Sequence, residues 1–144
     1  IYLYRDGRDV ACSFRKAVFA EAEFSTDYVG YGLGEDKEFS RRIAERHRIV
    51  VQPAARLYHY ESPKMRYDKR RRAREVVRFR LRFFRAYARR GWWSWAAFAH
   101  ALLGYLLARI AIALLSFDRD EWGRVRGILE GIADALRGRG TGPA

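Results

Sequence analysis

At 144 residues, with 29 Lys+Arg against 17 Asp+Glu and a formal charge of +12, the chain has room for about one compact domain plus an appendage, and its charge suits an anionic partner: nucleic acid, lipid headgroups or phosphorylated substrates. Cys12 is the only cysteine, which excludes an internal disulfide and a cysteine metal cluster; it reads as a small core residue in a chain compatible with a reducing compartment. The first thirty residues hold no apolar run of the kind that marks a secretory signal, and the start at Ile1, already strand-like and without an initiator Met, reads as entry into the middle of a longer protein.

Residues 1–63 mix acids and bases. Short β-rich runs at Ile1–Arg5, Ile49–Gln52 and Arg56–Tyr60 alternate with helical patterns, and Gly and Pro punctuate the joins, so this zone has an α/β texture. Within it, the stretch Tyr28-Val29-Gly30-Tyr31-Gly32-Leu33-Gly34-Glu35-Asp36 delivers two adjacent carboxylates to the start of a helix. Phe39 and Ile43, one turn apart, give that helix a buried face. The helix dipole stabilises carboxylates at that end, so ordinary capping and a chemical role are both open for Glu35 and Asp36.

Residues 64–91 form a second zone, in which Lys64–Arg90 carries thirteen Lys and Arg and only two acids, Asp68 and Glu75. At about 100° per residue, Arg74, Arg78, Arg82, Arg85 and Arg89 fall on one face and Val76, Val77, Leu81, Phe84, Tyr87 and Ala88 on the other: a basic amphipathic helix. Arg80 falls inside the apolar arc and must snorkel outward or find an acidic partner.

The third zone, 92–144, opens Trp92-Trp93-Ser94-Trp95 and stays apolar to Phe117 apart from His100 and Arg109. It is long enough for a bilayer, which takes roughly 20 apolar residues, but Arg109 near its middle opposes spanning; a span, interfacial insertion and burial against the protein all remain open. Asp118 and Glu121 have capping-box spacing, Trp122, Val125, Leu129, Ile132 and Leu136 mark one face of a closing helix, and Gly123, Gly127 and Gly131, four apart, open a second stripe for close contact with a helix or lipid.

Several stretches together resemble glycosyltransferase family 2. Ala11-Cys12-Ser13-Phe14-Arg15-Lys16-Ala17-Val18-Phe19 looks like a small-residue, Phe-Arg-Arg segment of that family. Phe24 to Tyr31 looks like its loop leading into Gly34-Glu35-Asp36, although Phe24-Ser25-Thr26-Asp27 lacks the usual Asp after Phe. Arg48 to His59 looks like its strand, Pro and second strand ending in His, and Arg126 to Ile132 is similar to the tails of many bacterial members.

The resemblance implies an α/β fold, the C-terminal, acceptor-side half of a GT-A (Rossmann-like) domain over 1–63, followed by the amphipathic helix 64–91 and an apolar helical, membrane-associated tail over 92–144. It implies inverting transfer of a sugar from a nucleotide-sugar donor to a glycan or lipid-linked acceptor in cell-envelope polysaccharide synthesis, within a longer enzyme whose donor-binding units and Asp-x-Asp precede Ile1. Asp36 is then the general base, Glu35 its support, Tyr31, Gly32, Gly34 and Arg41 touch substrate, and His59 helps ligate a divalent ion, Mg or Mn. Absence of the Gln-x-x-Arg-Trp motif of processive synthases points to transfer of single sugars.

Localisation follows as the cytoplasmic face of a bacterial-type inner membrane, peripheral or with one membrane segment. The rival readings are a non-catalytic membrane-surface module and a nucleic-acid binder. The second is disfavoured, because the aromatics of 64–90 lie mostly on the apolar side, away from the arginines. Asp118-Arg119-Asp120 spells a metal–diphosphate motif, but its place at a helix start makes it a cap. His47 and His100 have no companions at ligand spacing and read as a surface and a buried structural residue.

Overall fold

The computed structural model describes residues 2–6, 9–26, 33–51, 54 and 68–137, in two compact units, Ile1–Met65 and Arg66–Ala144.

In the first unit, strands β1 (Tyr2–Asp6) and β2 (Asp9–Ser13) pair antiparallel, with Tyr2 opposite Ser13 and Asp6 opposite Asp9. A single 3-10 turn, Lys16–Ala20, follows. Helix α1 (Glu35–Ile43) comes next, and then the two-residue strand β3 (Val50–Val51), which lies parallel to β1 at Tyr2 and Leu3. The sheet order is β2-β1-β3. The core is small and built around α1: Val18, Phe39 and Ile43 are buried, with Phe14 and Ala22 packed against them.

In the second unit, α2 (Lys69–Phe83) begins at Asp68, whose carboxylate accepts the Arg70 N–H at 2.9 Å, as an N-cap should. Ala73, Val77, Leu81 and Phe84, three or four residues apart, form its buried face. A π-helical turn, Phe84–Ala88, ends it, and α3 (Trp92–Ser116) and α4 (Arg119–Leu136) follow. Asp118 caps α4 by accepting the Asp120 N–H at 2.8 Å, so Asp118-Arg119-Asp120 is a helix start. Asp120 is occupied by Lys69 at 2.6 Å.

Contacts give the directions of these helices. Arg70 meets Glu130 and Arg74 meets Asp134 at 2.6 Å, so α2 and α4 run parallel. Arg109 meets Glu121 at 3.3 Å, and Phe84 stacks on Phe98 with centroids 4.5 Å apart, so α3 runs antiparallel to both. The centre is Ala73, Val77 and Ile128, with Leu102, Tyr105, Leu106 and Ile132 around it.

Two glycines allow α4 to approach α2 closely. A Cβ at Gly127 would be driven into the Arg70 carbonyl, and one at Gly131 would lie 2.8 Å from Val77 Cβ and 2.9 Å from the Arg74 oxygen. The glycine stripe therefore serves a helix contact, while Gly123, 3.9 Å from Arg70 Cβ, has ordinary room.

The expected α/β, Rossmann-like GT-A fold is not what forms. The protein is mostly helical, with four α-helices among the described residues, and its strands make only a small mixed sheet with one two-residue parallel pairing. A doubly wound sheet needs several parallel strands buried on both faces by helices; here the apolar residues of 68–137 recur at helical spacing and are consumed in helix packing.

Details of the helical half also differ from expectation. The inner face of α4 is Val125, Ile128 and the glycines, while Trp122, Leu129 and Leu136 are exposed. Glu121 pairs with Arg109 and Arg124, and the cap bond on Asp118 comes from Asp120. Arg80 does as expected and snorkels outward: it is exposed, and its guanidinium lies over the Tyr105 ring, 4.5 Å from the centroid, a cation–π contact. His100 is exposed on α3, not buried.

Candidate functional site

Gly34 has φ 86 and ψ 9, a left-handed conformation that glycine adopts without strain. It turns the chain into α1, and its carbonyl accepts the Glu38 N–H at 3.0 Å. The first turn of α1 carries Glu35, Asp36 and Glu38, where unpaired amide groups and the helix dipole favour negative charge.

The three acids have different surroundings. Glu38 is buried and bound by Arg42 at 3.2 Å, so it is structural. Glu35 is half-buried. Asp36 is exposed, with Oδ1 accepting the Lys37 N–H at 2.8 Å. Of the pair named as catalytic, Asp36 is the one open to a large substrate.

What fixes this helix tip is aromatic. Phe39, fully buried, lies 5.0 Å from Phe14, 5.6 Å from Phe19 and 4.3 Å from Phe24, centroid to centroid. Edge-to-face and stacked pairs at these separations stabilise beyond their buried area. Arg42 adds a hydrogen bond to the Glu23 carbonyl at 2.6 Å and lies over the Phe39 ring at 5.5 Å. The segments around Phe14 and Phe24, separate in sequence, are thus joined to the acidic helix.

Sequence reasoning missed two neighbours of Asp36. Ser40, one turn on in α1, is buried, and among the described residues its Oγ has no well-formed hydrogen bond. Cys12, half-buried on β2, faces the same region. Burial pushes the Cys12 thiol up, the Asp36 carboxylate raises it further, and a weak interaction with Ser40 only partly offsets them, so the thiol stays protonated and unreactive at neutral pH. The i, i+4 spacing of Asp36 and Ser40 was a readable signal; the approach of β2 was not.

The remaining expected site residues are not gathered with Asp36 among the described residues. Arg41, five residues on and so about 140° around the helix, is exposed on another face of α1. Tyr31, Gly32 and His59 lie outside the described residues. His47 sits 3.0 Å from Glu21, in keeping with a surface role.

Among the described residues no three His, Cys, Asp or Glu side chains converge as a metal-ion site. The residue expected to help ligate a divalent ion, His59, lies outside the described residues.

In the second unit, α3 is long and apolar enough to cross a membrane by length and composition. Searches for similarity return no matching family model, no matching curated protein and no matching solved structure.

Proposed function

We propose that the chain is the acceptor-side part of a longer enzyme that transfers a sugar from a nucleotide-sugar donor to a hydroxyl of a glycan or lipid-linked acceptor, with inversion, at the cytoplasmic face of a bacterial-type membrane. One observation carries the reading: an exposed carboxylate, Asp36, held at the tip of a short helix by a left-handed glycine on one side and a phenylalanine cluster centred on the buried Phe39 on the other. The resemblance of Ala11–Phe19, the Gly34-Glu35-Asp36 turn and the Arg48–His59 segment to glycosyltransferase family 2 supports it.

In the proposed step, Asp36 takes the proton of the acceptor hydroxyl as that oxygen attacks the anomeric carbon. The bond from that carbon to the nucleotide diphosphate breaks, and the electron pair leaves with the diphosphate. Glu35, half-buried beside it, is suited to hold the turn or orient the acceptor. The test is Asp36→Asn in the longer enzyme, with transfer to acceptor measured alongside donor binding. Loss of turnover by about 10²- to 10⁴-fold with donor affinity kept is expected; near-normal turnover in a folded variant removes the assignment.

The rival nucleic-acid reading is weakened by how α2 spends its bases. Lys69, Arg70 and Arg74 are engaged by Asp120, Glu130 and Asp134 of α4, and Phe84 stacks inside the unit on Phe98, leaving that face of α2 poorly arranged for a phosphate backbone with stacked bases.

A further inference from the structure

We infer that α3 lies in the plane of an anionic phospholipid surface, with its outer face in the acyl boundary, and does not cross the bilayer. The inference deepens the membrane localisation proposed above and rests on it.

The first observation is the two-faced character of α3. Ser94, Phe98, Leu102, Tyr105, Arg109 and Ala113 are half-buried or buried, three or four residues apart, and turn toward the rest of the unit. The opposite face is exposed from one end to the other. It carries Trp93, Leu103, Leu107, Leu114 and Leu115, the last 83% exposed, and has no Lys, Arg, Asp or Glu; His100 is its one titratable side chain. An apolar face of that length left to water is the mark of a partner surface.

The second observation decides the orientation. The contacts of α3 with its neighbours run from Trp95, against Phe84, through Tyr105, under Arg80, to Arg109, paired with Glu121, and on to Ala113, fully buried. That interval of eighteen residues is about 27 Å, nearly the roughly 30 Å of a hydrocarbon core. Its partners are charged: α2 has nine Lys, Arg and Glu side chains and α4 has seven Arg, Asp and Glu.

A spanning α3 would either drag these helices into hydrocarbon or be stripped from them, leaving Arg109 in lipid without Glu121 and opening the Val77–Ile128 core. Lying flat avoids both. Charged α2 and α4 then stand on the water side, and only the uncharged face meets lipid.

The third observation gives the chemistry of the surface. Exposed Arg85, Arg89 and Arg90 lie at one end of α3 and Arg119 at the other, positions at headgroup level for a helix lying flat, where each basic residue adds attraction to anionic lipid. Trp92 and Trp93, both exposed, share the first end, as aromatic residues do at such boundaries. Phe117, 89% exposed in a left-handed turn, closes the other.

Depth measured along the helix tests this. In the full chain carrying Cys12→Ser, single cysteines replacing Ala96, Leu103, Leu107, Ala111 and Leu115 are spin-labelled, bound to mixed phosphatidylcholine–phosphatidylglycerol vesicles, and read by collision with oxygen and with a water-soluble nickel chelate. All five are expected at one shallow depth, on the order of 5–10 Å below the phosphates. A profile deepest near Leu103, at about 15 Å, and shallow at opposite leaflets for Ala96 and Leu115 overturns in-plane seating while leaving membrane attachment standing. Failure to bind the vesicles at all overturns the localisation itself. On phosphatidylcholine alone, binding is expected to weaken by on the order of tenfold or more; equal binding removes the anionic requirement.

Discussion

The glycines of α4 make neighbouring substitutions diverge in sign. Replacing an exposed helical Gly by Ala favours the helix by up to about 1 kcal/mol. At Gly123 the new methyl would meet Arg70 Cβ at 3.9 Å, an ordinary contact, so Gly123→Ala is expected to stabilise by about 0.5–1 kcal/mol. At Gly127 the methyl would overlap the Arg70 carbonyl oxygen, with its carbon at 2.8 Å and Ala73 Cβ at 3.1 Å. Backbone cannot rotate away as a side chain can, and overpacking of this kind costs about 1–3 kcal/mol. After the propensity gain, Gly127→Ala should destabilise by about 1–2 kcal/mol, leaving roughly 1.5–3 kcal/mol between the variants. All four tryptophans, Trp92, Trp93, Trp95 and Trp122, lie in the helical unit, so tryptophan fluorescence during unfolding reports that unit. For a unit of this size, 1 kcal/mol is about 4–8 °C, so the midpoints should separate by on the order of 10 °C. If Gly127→Ala unfolds at or above the temperature of Gly123→Ala, the α2–α4 contact is not where we describe it.

Other outcomes follow from the same structure. Gly131→Ala should destabilise like Gly127→Ala, because its methyl would press on Val77 Cβ at 2.8 Å and the Arg74 oxygen at 2.9 Å; the same fluorescence measurement reads it. Phe39→Ala, which empties the centre of the first unit's core, should cost about 3–5 kcal/mol, seen as rapid proteolysis of that unit while the tryptophan-monitored transition stays in place. The Arg74 guanidinium holds Asp134 below its ordinary 3.8, Lys69 does the same for Asp120, and Arg70 holds Glu130 below its ordinary 4.5. Stability from carboxylates so depressed is complete above their unfolded values and is lost as pH falls through the folded ones. The helical unit's midpoint should therefore be level from neutrality to about pH 5 and drop below about pH 4, less steeply in Asp134→Asn. An Arg74/Asp134 double-mutant cycle should give a coupling of about 0.5–1 kcal/mol, since the arginine is 43% exposed.

Local features were legible in the sequence where one element determines them. The helix after Gly34, with Phe39 and Ile43 inside, follows from spacing alone, and so do the cap at Asp118 and the close approach at Gly127 and Gly131. Strand β2 was not legible: Asp9, Cys12 and Ser13 interrupt the apolar alternation that marks a half-buried strand, and pairing with β1 supplies what the pattern lacks. The sign of Arg74 was also hidden. On a wheel it belongs to a solvated basic stripe, yet it bonds Asp134 sixty residues away, a tertiary partner that no local period reveals. The fold class failed for a related reason. Short β-rich runs in residues 1–63 set the expectation, whereas the mass of the protein lies in helices packed on one another through Ala73, Val77 and Ile128. At the candidate site, Asp36 and Glu35 could be found from sequence, but Ser40 and Cys12 beside Asp36 emerge only once β2 and α1 are set together.

The distribution of charge in the helical unit bears on what it meets. Residues 68–137 contain sixteen Lys and Arg against seven Asp and Glu. Each of those acids has an internal partner: Asp68 caps α2, Glu75 meets Arg71, Asp118 and Asp120 meet Lys69, Glu121 meets Arg109 and Arg124, Glu130 meets Arg70 and Arg126, and Asp134 meets Arg74. Sixteen bases against seven engaged acids leave residues 68–137 with nine more positive than negative charges. Such a surplus raises self-repulsion unless an external anion relieves it. A flat array of lipid phosphates can do so while the uncharged face of α3 is buried at the same boundary, so the charge excess and the apolar excess of this unit answer to a single partner, and attachment should weaken as salt screens the first without touching the second.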